Sequence, residues 1–288
     1  MQDIHGKSRA RLEETLAALG AWIAAILVLG VFGWILGDLL WHGWPSLSWE
    51  FVFDAPRDAG RAGGIGPILV STALLLGICL AVALPIGFGA ALCLAELAAR
   101  AAWPTRLIRR SLDILAGMPS ILFGLFGNAV FCVILGFGFS LLSGGLTLAC
   151  MVLPLVIRSA DEALRSVPAQ YRLSAAALGL SRGATLWHLI VPAALPGVLV
   201  GFTLAVGRAL AETAALIFTS GYVDRLPHSL LDSGRALSVH IFDLAMNVPG
   251  GDAHAYASAL VLVTMLLAIN LVASRLGSRW SLCRMSSI

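Results

Sequence analysis

The 288 residues are 59% hydrophobic and only 12% charged, with a mean hydropathy of +0.90, a balance too apolar for a soluble domain to hide inside one core, so the excess must face lipid. The formal net charge of +3 comes from nineteen basic residues, all arginine except Lys7, and their placement carries more information than their sum. They form no nucleic-acid face. Cys79, Cys93, Cys132, Cys150 and Cys283 share no metal-ligand spacing, and the six histidines give no His-Glu-x-x-His pair, which leaves a zinc hydrolase without support.

A bilayer core about 30 Å thick takes roughly 20 apolar residues per helix. Six such stretches are predicted, near 17–41, 67–97, 119–137, 140–157, 192–220 and 255–276, which makes the chain an all-α membrane protein. The tail 1–16 carries Lys7, Arg9 and Arg11, but Asp3, Glu13 and Glu14 interrupt it and the following apolar run is long, so the first stretch reads as a retained anchor rather than a signal. A loop-like segment of Gly, Pro, Trp and Asp follows at 42–66, either a surface for an external partner or a plain solvated connection. In the second stretch Pro85 with Gly87 and Gly89 predicts a kink or a close helix contact. Arg100, Arg106, Arg109 and Arg110 come next, and Gly117, Pro119 and Ser120 make a broken entrance to the third stretch, with Ser120 as a cap whose neighbouring amides face an anion.

After the fourth stretch, residues 158–191 are unlike a tight turn or a span. Pro168 ends one helix, the alanine-rich piece to Leu178 forms another, Gly179 supplies a left-handed closing residue and Ser181 caps a third. The product is a helical knob, small-faced at Ala175, Ala176 and Ala177 and basic at Arg165, Arg172 and Arg182, suited to a groove on a soluble partner or to the membrane surface. The fifth stretch contains Arg208 and Glu212. Four residues apart on one helix, they share a face. A charge at the bilayer centre costs roughly 2.5–3.5 kcal/mol, so that face turns to a bundle interior or an aqueous path, either as a self-satisfying pair or with guanidinium donors left for an oxyanion. A second loop-like segment at 221–254, the sixth stretch and a tail at 277–288 complete the chain.

Fourteen basic residues, in the tails and in the loops after the second and fourth stretches, fall on one side. Arg57, Arg61, Arg225 and Arg235 fall on the other, among aspartates. Basic residues accumulate in short cytoplasmic loops, so both termini are predicted to be cytoplasmic.

Around Gly179 the sequence resembles the membrane subunits of bacterial binding-protein-dependent ABC importers, whose signature is Glu-Ala-Ala, three residues, Gly, nine residues, Ile-x-Leu-Pro. Here Leu173-Ser174-Ala175 stands for Glu-Ala-Ala and Leu189-Ile190-Val191-Pro192 for the ending, so the family's glutamate is absent. Longer motifs at 63–67, 83–87, 115–127 and Gly207-Arg208-Ala209-Leu210-Ala211-Glu212-Thr213-Ala214 resemble the phosphate-specific branch, its A-type permease more than its C type, although Ala211 and Ala215 replace the usual Gly and Pro. The resemblance implies a type I importer permease fold with a core near 67–276, in the bacterial inner membrane. It also implies a cytoplasmic coupling helix acting through Arg172, Ala175, Ala176, Gly179 and Pro192, and a pathway through Ser120, Arg208, Glu212 and Thr213. Its implied partners are a C-type permease, two ATPase subunits holding ATP and magnesium, and an extracytoplasmic phosphate-binding protein, with no cofactor in this chain. The chain has no phosphate-binding loop of its own, since Gly6-Lys7-Ser8 lacks the leading glycine. A permease for phosphonate, sulfate or molybdate is the alternative within this class. A secondary transporter with Glu212 as proton site is the alternative outside it, but it gives the knob no purpose.

The charge asymmetry makes a topological prediction. Single cysteines at Ser174 and Ser229, in a background without native cysteines, will react with an impermeant maleimide from opposite sides of the membrane. Labelling from the same side would remove the six-span arrangement.

Overall fold

The computed structural model describes the backbone of residues 2–98 and 102–285 and the side chains of 14–95 and 103–275. Arg100 lies outside the described residues, as do the side chains of Lys7, Arg9, Arg11, Arg279, Cys283 and Arg284. In chain order, α1 (Gln2–Gly43) leads to α2 (Trp49–Phe53) and a small antiparallel ribbon, β1 (Pro56–Arg57) with β2 (Ala62–Gly63). Then come α3 (Gly66–Ala98), α4 (Ala102–Ala116) and α5 (Ser120–Gly127), the last continued by a π-helical turn over Asn128–Ile134. Helix α6 (Leu141–Ser166) is followed by α7 (Ala169–Ala177), α8 (Arg182–Thr185), a second π turn at Leu186–Ile190 and α9 (Val191–Ala211). The short α10 (Ala214–Ile217) and α11 (Leu237–Met246) precede α12 (Asp252–Met285).

Five helical segments are long and apolar enough to cross a membrane, Glu14–Ser46, Gly66–Ala95, Leu141–Ser166, Arg182–Ala211 and Asp252–Arg275, and α4 with α5 forms a sixth only as a pair bent by 95°. Three expected boundaries are therefore corrected. The third stretch is helical over 120–134 rather than to 137, and it reaches span length only together with α4, across the break expected at Gly117 to Ser120. Met118 precedes Pro119 and is steered out of helical geometry, the Gly117 amide closes α4 on Asp113 and Ile114 carbonyls, and α5 starts again beyond. Its helical run of 120–134 rises about 22 Å, short of a full crossing.

The fourth span ends at Ser166 rather than near 157, because its apolar face continues: Ala160, Ala163 and Leu164 are buried with Ala91 and Ala95 of α3 and Ala194 of α9. Arg158 and Arg165 thus ride on α6 and the loop begins at Val167. The fifth span starts at Arg182 and stops at Ala211, with Glu212 extended (φ −75°, ψ 127°). Pro192 has no amide for the His188 carbonyl, and the π turn absorbs the irregularity just before it.

Helix α6 is the centre of the bundle, packed by α3, α9, α5, α4 and α10. Apolar burial gives helices little reason to associate in lipid, so close approach of small residues does the packing. A Cβ added to Gly145 would sit 2.6 Å from Ile78, one on Gly87 of α3 2.6 Å from Val156, and one on Gly197 of α9 2.8 Å from the Ala163 methyl. Gly87 thus takes the close-contact reading, and α3 runs through Pro85 without a break. Helix α1 differs from the rest. Its apolar residues are exposed along most of its length, and it meets the bundle where Gly43 lies against the Tyr256 backbone of α12.

At the opposite end from the termini, the chain between α10 and α11 returns across the start of α6. Carbonyls of Thr219, Asp232 and Leu230 accept from the amides of Ser140, Leu141 and Leu142 at 2.9–3.0 Å, which satisfies donors a helix start would otherwise leave open. Arg235 ties this segment to α11, with an ion pair to Asp243 at 3.1 Å and a bond to His240 Nδ1 at 3.3 Å. Burial foremost, then the Arg235 charge, lowers the His240 pKa to about 4, so its neutral ring can accept that bond.

Gly145→Val is expected to destabilise the solubilised protein by about 1–3 kcal/mol through overpacking against Ile78. Gly89→Ala, where nothing lies within 4 Å, will be neutral. Denaturant unfolding of the two variants checks the contrast, and equal stability would show that α3 and α6 do not approach this closely.

Candidate functional site

The fifth span's charges do not share a helical face. Arg208 lies in the last turn of α9, while Glu212 is beyond its end, so the expected i, i+4 geometry is lost. Glu212 is buried and turned inward. Its Oε1 accepts the Ala215 amide at 3.2 Å, and its carbonyl accepts the Ser238 hydroxyl of α11 at 2.6 Å. A carboxylate at a helix start satisfies an orphan amide and opposes the local dipole, so Glu212 holds α10 in place after the break.

Arg208, by contrast, is exposed and has no hydrogen-bond or ion-pair partner among the described residues. An unpaired guanidinium on an apolar helix cannot rest in hydrocarbon without a cost of roughly 2.5–3.5 kcal/mol. Its face is open to an oxyanion, to water or to another chain.

Ser120 and Thr213 belong to two packed elements, α5 and α10. Gly124 of α5 brings its backbone so close to Ala215 that an added Cβ would be 2.8 Å from the Ala215 Cα, and Asn128 donates to the Phe218 carbonyl at 2.8 Å. Ser120 is not the cap expected of it. Pro119 occupies that position and Ser120 is the first helical residue, with no side-chain capping bond. Thr213 precedes α10 and likewise caps nothing. Both are half-buried.

At the other end, α6 stops at Ser166, Val167 caps it and Pro168 opens α7. Gly179 takes φ +73°, a left-handed conformation that only glycine adopts freely, and Ser181 accepts the Ala184 amide at 3.2 Å to start α8. On α7 only Ala175 is buried. Arg172 and Ala176 are exposed and, with Ala95, Leu180, Arg182 and Thr185, line a cleft of about 260 Å³. Pro192 is the second residue of α9, so α8, the π turn and α9 join the knob directly to the helix bearing Arg208. Leu173, where the resembled signature has glutamate, is 69% exposed. This position offers an apolar contact and no ion pair.

The sequence reading passed over Asn128, Ser238 and Asp161. Asp161 takes a two-pronged grip from Arg109 at 2.7 and 2.9 Å, across a separation of 52 residues that no local spacing rule pairs. The only signal for it was an acidic residue within an otherwise basic stretch.

Compared with known proteins, residues 83–279 match the family described as binding-protein-dependent transport system inner membrane component. The chain is 30% identical to the probable ABC transporter permease protein YqgI of Bacillus subtilis over 283 residues, 93% of this chain and 95% of that one. It is 28% identical to phosphate transport system permease protein PstA 1 of Mycobacterium tuberculosis over 272 residues, 92% of this chain and 89% of the relative. Identity to phosphate transport system permease protein PstC of Xylella fastidiosa is 31%, over 86% of this chain and 84% of the relative. An inward-facing structure of the MetNI methionine ABC transporter superposes with TM-score 0.59 at 17% identity, over 75% of this chain and 94% of that chain. At this identity the likeness speaks for the fold alone.

A β-branched residue at 179 will resist the left-handed turn by about 1–2 kcal/mol. Gly179→Val is therefore expected to loosen the knob and raise tryptic cleavage at the flanking Arg172 and Arg182 roughly tenfold, while Gly179→Asn, which tolerates this conformation, stays near the parent rate. Equal protection in Gly179→Val would show that the turn does not organise the knob.

Proposed function

The chain belongs to the binding-protein-dependent transport system inner membrane components, and from that premise we propose that it is the membrane-spanning permease of an ATP-driven phosphate importer, forming half of the translocation pathway. Its fold is that of a type I importer permease. Relatives named phosphate transport system permease proteins, of both A and C types, support phosphate as the substrate. The observation within this chain that carries the reading is Arg208, an exposed guanidinium without a partner among the described residues, beside the break at the end of the fifth span.

In this reading the exposed face of α9 meets a homologous C-type permease, and the two chains enclose the path. Arg208 then presents a planar fork of donors to a tetrahedral oxyanion. Glu212, occupied with Ala215, leaves that fork free while shaping the wall behind it. Thr213 and Ser120 are the hydroxyls on the neighbouring broken elements.

Two ATPase subunits serve the pair of permeases, and one of them docks on this chain's knob, where Arg172 and Ala176 are exposed beside Leu173. ATP and magnesium belong to those subunits. An extracytoplasmic phosphate-binding protein delivers the ion at the end bearing the β1–β2 ribbon. Both termini and the knob are cytoplasmic, and the chain lies in the bacterial inner membrane as a multi-pass protein.

The test is uptake of labelled phosphate by the reconstituted complex, driven by enclosed ATP without an ion gradient. Arg208→Ala is expected to lower uptake at least a hundredfold at unchanged membrane abundance. Arg208→Lys will recover little, because an ammonium lacks the planar fork. Parent-like uptake in Arg208→Ala would remove the residue from the pathway, and dependence on a gradient rather than ATP would overturn the importer reading.

A further inference from the structure

Two rungs of charge join α4 to the cytoplasmic half of α6. Arg109 grips both oxygens of Asp161, and Asp113 meets Arg158 at 2.9 Å. From 109 to 113 the rungs advance along α4 while from 161 to 158 they retreat along α6, so the two segments are clamped antiparallel. Arg158 also holds Glu162 at 3.0 Å, and Arg165 lies 3.9 Å from Asp161. The outer rung is half exposed on both sides and is worth little by itself. Asp161 is different, with a side chain only 6% exposed. A carboxylate so nearly dry depends on its partner, and a two-pronged guanidinium fixes angle as well as distance.

The elements on either side of this pair are the ones that have to move together. Asp161 lies five residues before the end of α6, after which Pro168 opens α7. Arg109 lies on α4, whose Trp103, Leu107 and Ile114 are exposed and whose packing partners are α6 and α3. Beyond the bend at 117–119, α5 is tied to the segment after the α9 break through the Gly124–Ala215 approach and the Asn128–Phe218 bond. Besides the direct packing of α6 on α5 and α10, a second series of contacts thus leads from the coupling helix through α4 to the 212–220 segment, and among the described residues the Arg109–Asp161 pair is its buried ionic step.

Resting on the importer reading above, we infer that Arg109 and Asp161 form a positioning joint that carries displacement of the coupling helix to α4 and, across the Pro119 bend, to the 212–220 segment. Neither residue touches the transported ion. A joint differs from a mere brace in what fails when it is cut. The ATPase stroke still reaches α7 and the part of α5 that packs on α6, but its transmission through α4 to the first turn of α5, where Leu122 lies, is lost.

The experiment uses the assembled complex with its ATPase subunits, native cysteines replaced, and one reporter cysteine at a time, Ser174→Cys on α7 or Leu122→Cys on α5. Maleimide labelling rates are compared without nucleotide and after trapping with magnesium, ATP and vanadate. In the parent both reporters change rate on trapping. In Asp161→Asn the Ser174→Cys reporter is expected to respond as before, while the Leu122→Cys rates in the two states come within twofold of each other. Phosphate imported per ATP hydrolysed falls at least tenfold, and the exchange Arg109→Asp with Asp161→Arg restores a third or more of it.

Should Asp161→Asn fail to assemble, Arg109→Lys, which keeps the charge and loses the fork, is read in the same way. A persisting response at Leu122→Cys, or loss of both responses together in an assembled complex, overturns the joint. If both reporters respond in a parent that imports no phosphate, the substrate assignment fails while the joint stands.

Discussion

A backbone amide or carbonyl inside a bilayer has no water to bond, so a chain that interrupts its helices there must supply every missing partner itself. This protein interrupts them before Ser120, where the Gly117 and Met118 amides turn back to carbonyls of α4, and after Ala211, where the chain lies against other segments. Asn128 donates to Phe218, Ser238 to the Glu212 carbonyl, Gly234 to Ser220, and the first amides of α6 to Thr219, Asp232 and Leu230. Irregular backbone after Ala211 is therefore a sealed structure and not a gap. It gives the molecule a place where α5, α10 and α11 converge around Glu212 without exposing backbone to hydrocarbon.

The same economy explains the choice of small residues around α6. Glycines at 87, 124, 127, 144, 145, 197 and 201 stand where a Cβ would collide with a neighbouring segment. Removing side chains lets backbones approach until dispersion and local hydrogen bonds stabilise the contact. Charges are used sparingly. One ion pair with a buried carboxylate clamps α4 to α6, and a half-buried one holds Arg235 to Asp243 of α11. Arg208, exposed in the last turn of α9 and without a partner among the described residues, is left for something outside the chain.

The knob was legible in the sequence because its rules are local. Pro168, Gly179 and Ser181 each act within a few residues, and each stands in the structure at the end or start it announced. The close contact at Gly87 was legible only as one of two outcomes. The break at Glu212 was hidden, since apolar residues continue to Ile217 and the Glu212 carbonyl released by the break is taken by Ser238, 26 residues further on. The fourth span was cut short in the reading because Arg158 looks like a loop residue, whereas Ala160 and Ala163 on the opposite face are still buried. Ser120 resembled a cap by type, but the proline before it had already taken the position. Charge placement found Arg208, while its separation from Glu212 depended on tertiary contacts.

The two π turns, at 128–134 and 186–190, change how the surrounding residues should be counted. A π turn holds an extra residue within one helical revolution, and each residue of an α-helix advances the clock face by about 100°. Positions on either side of Leu186–Ile190 therefore keep different time. A hydrophobic wheel drawn through both would set the faces of α8 and α9 out of phase by about that angle. Residue pairs compared across the turn at a spacing of four are no longer stacked, and the chain's apparent periodicity there reflects its added residue rather than a weaker amphipathic design.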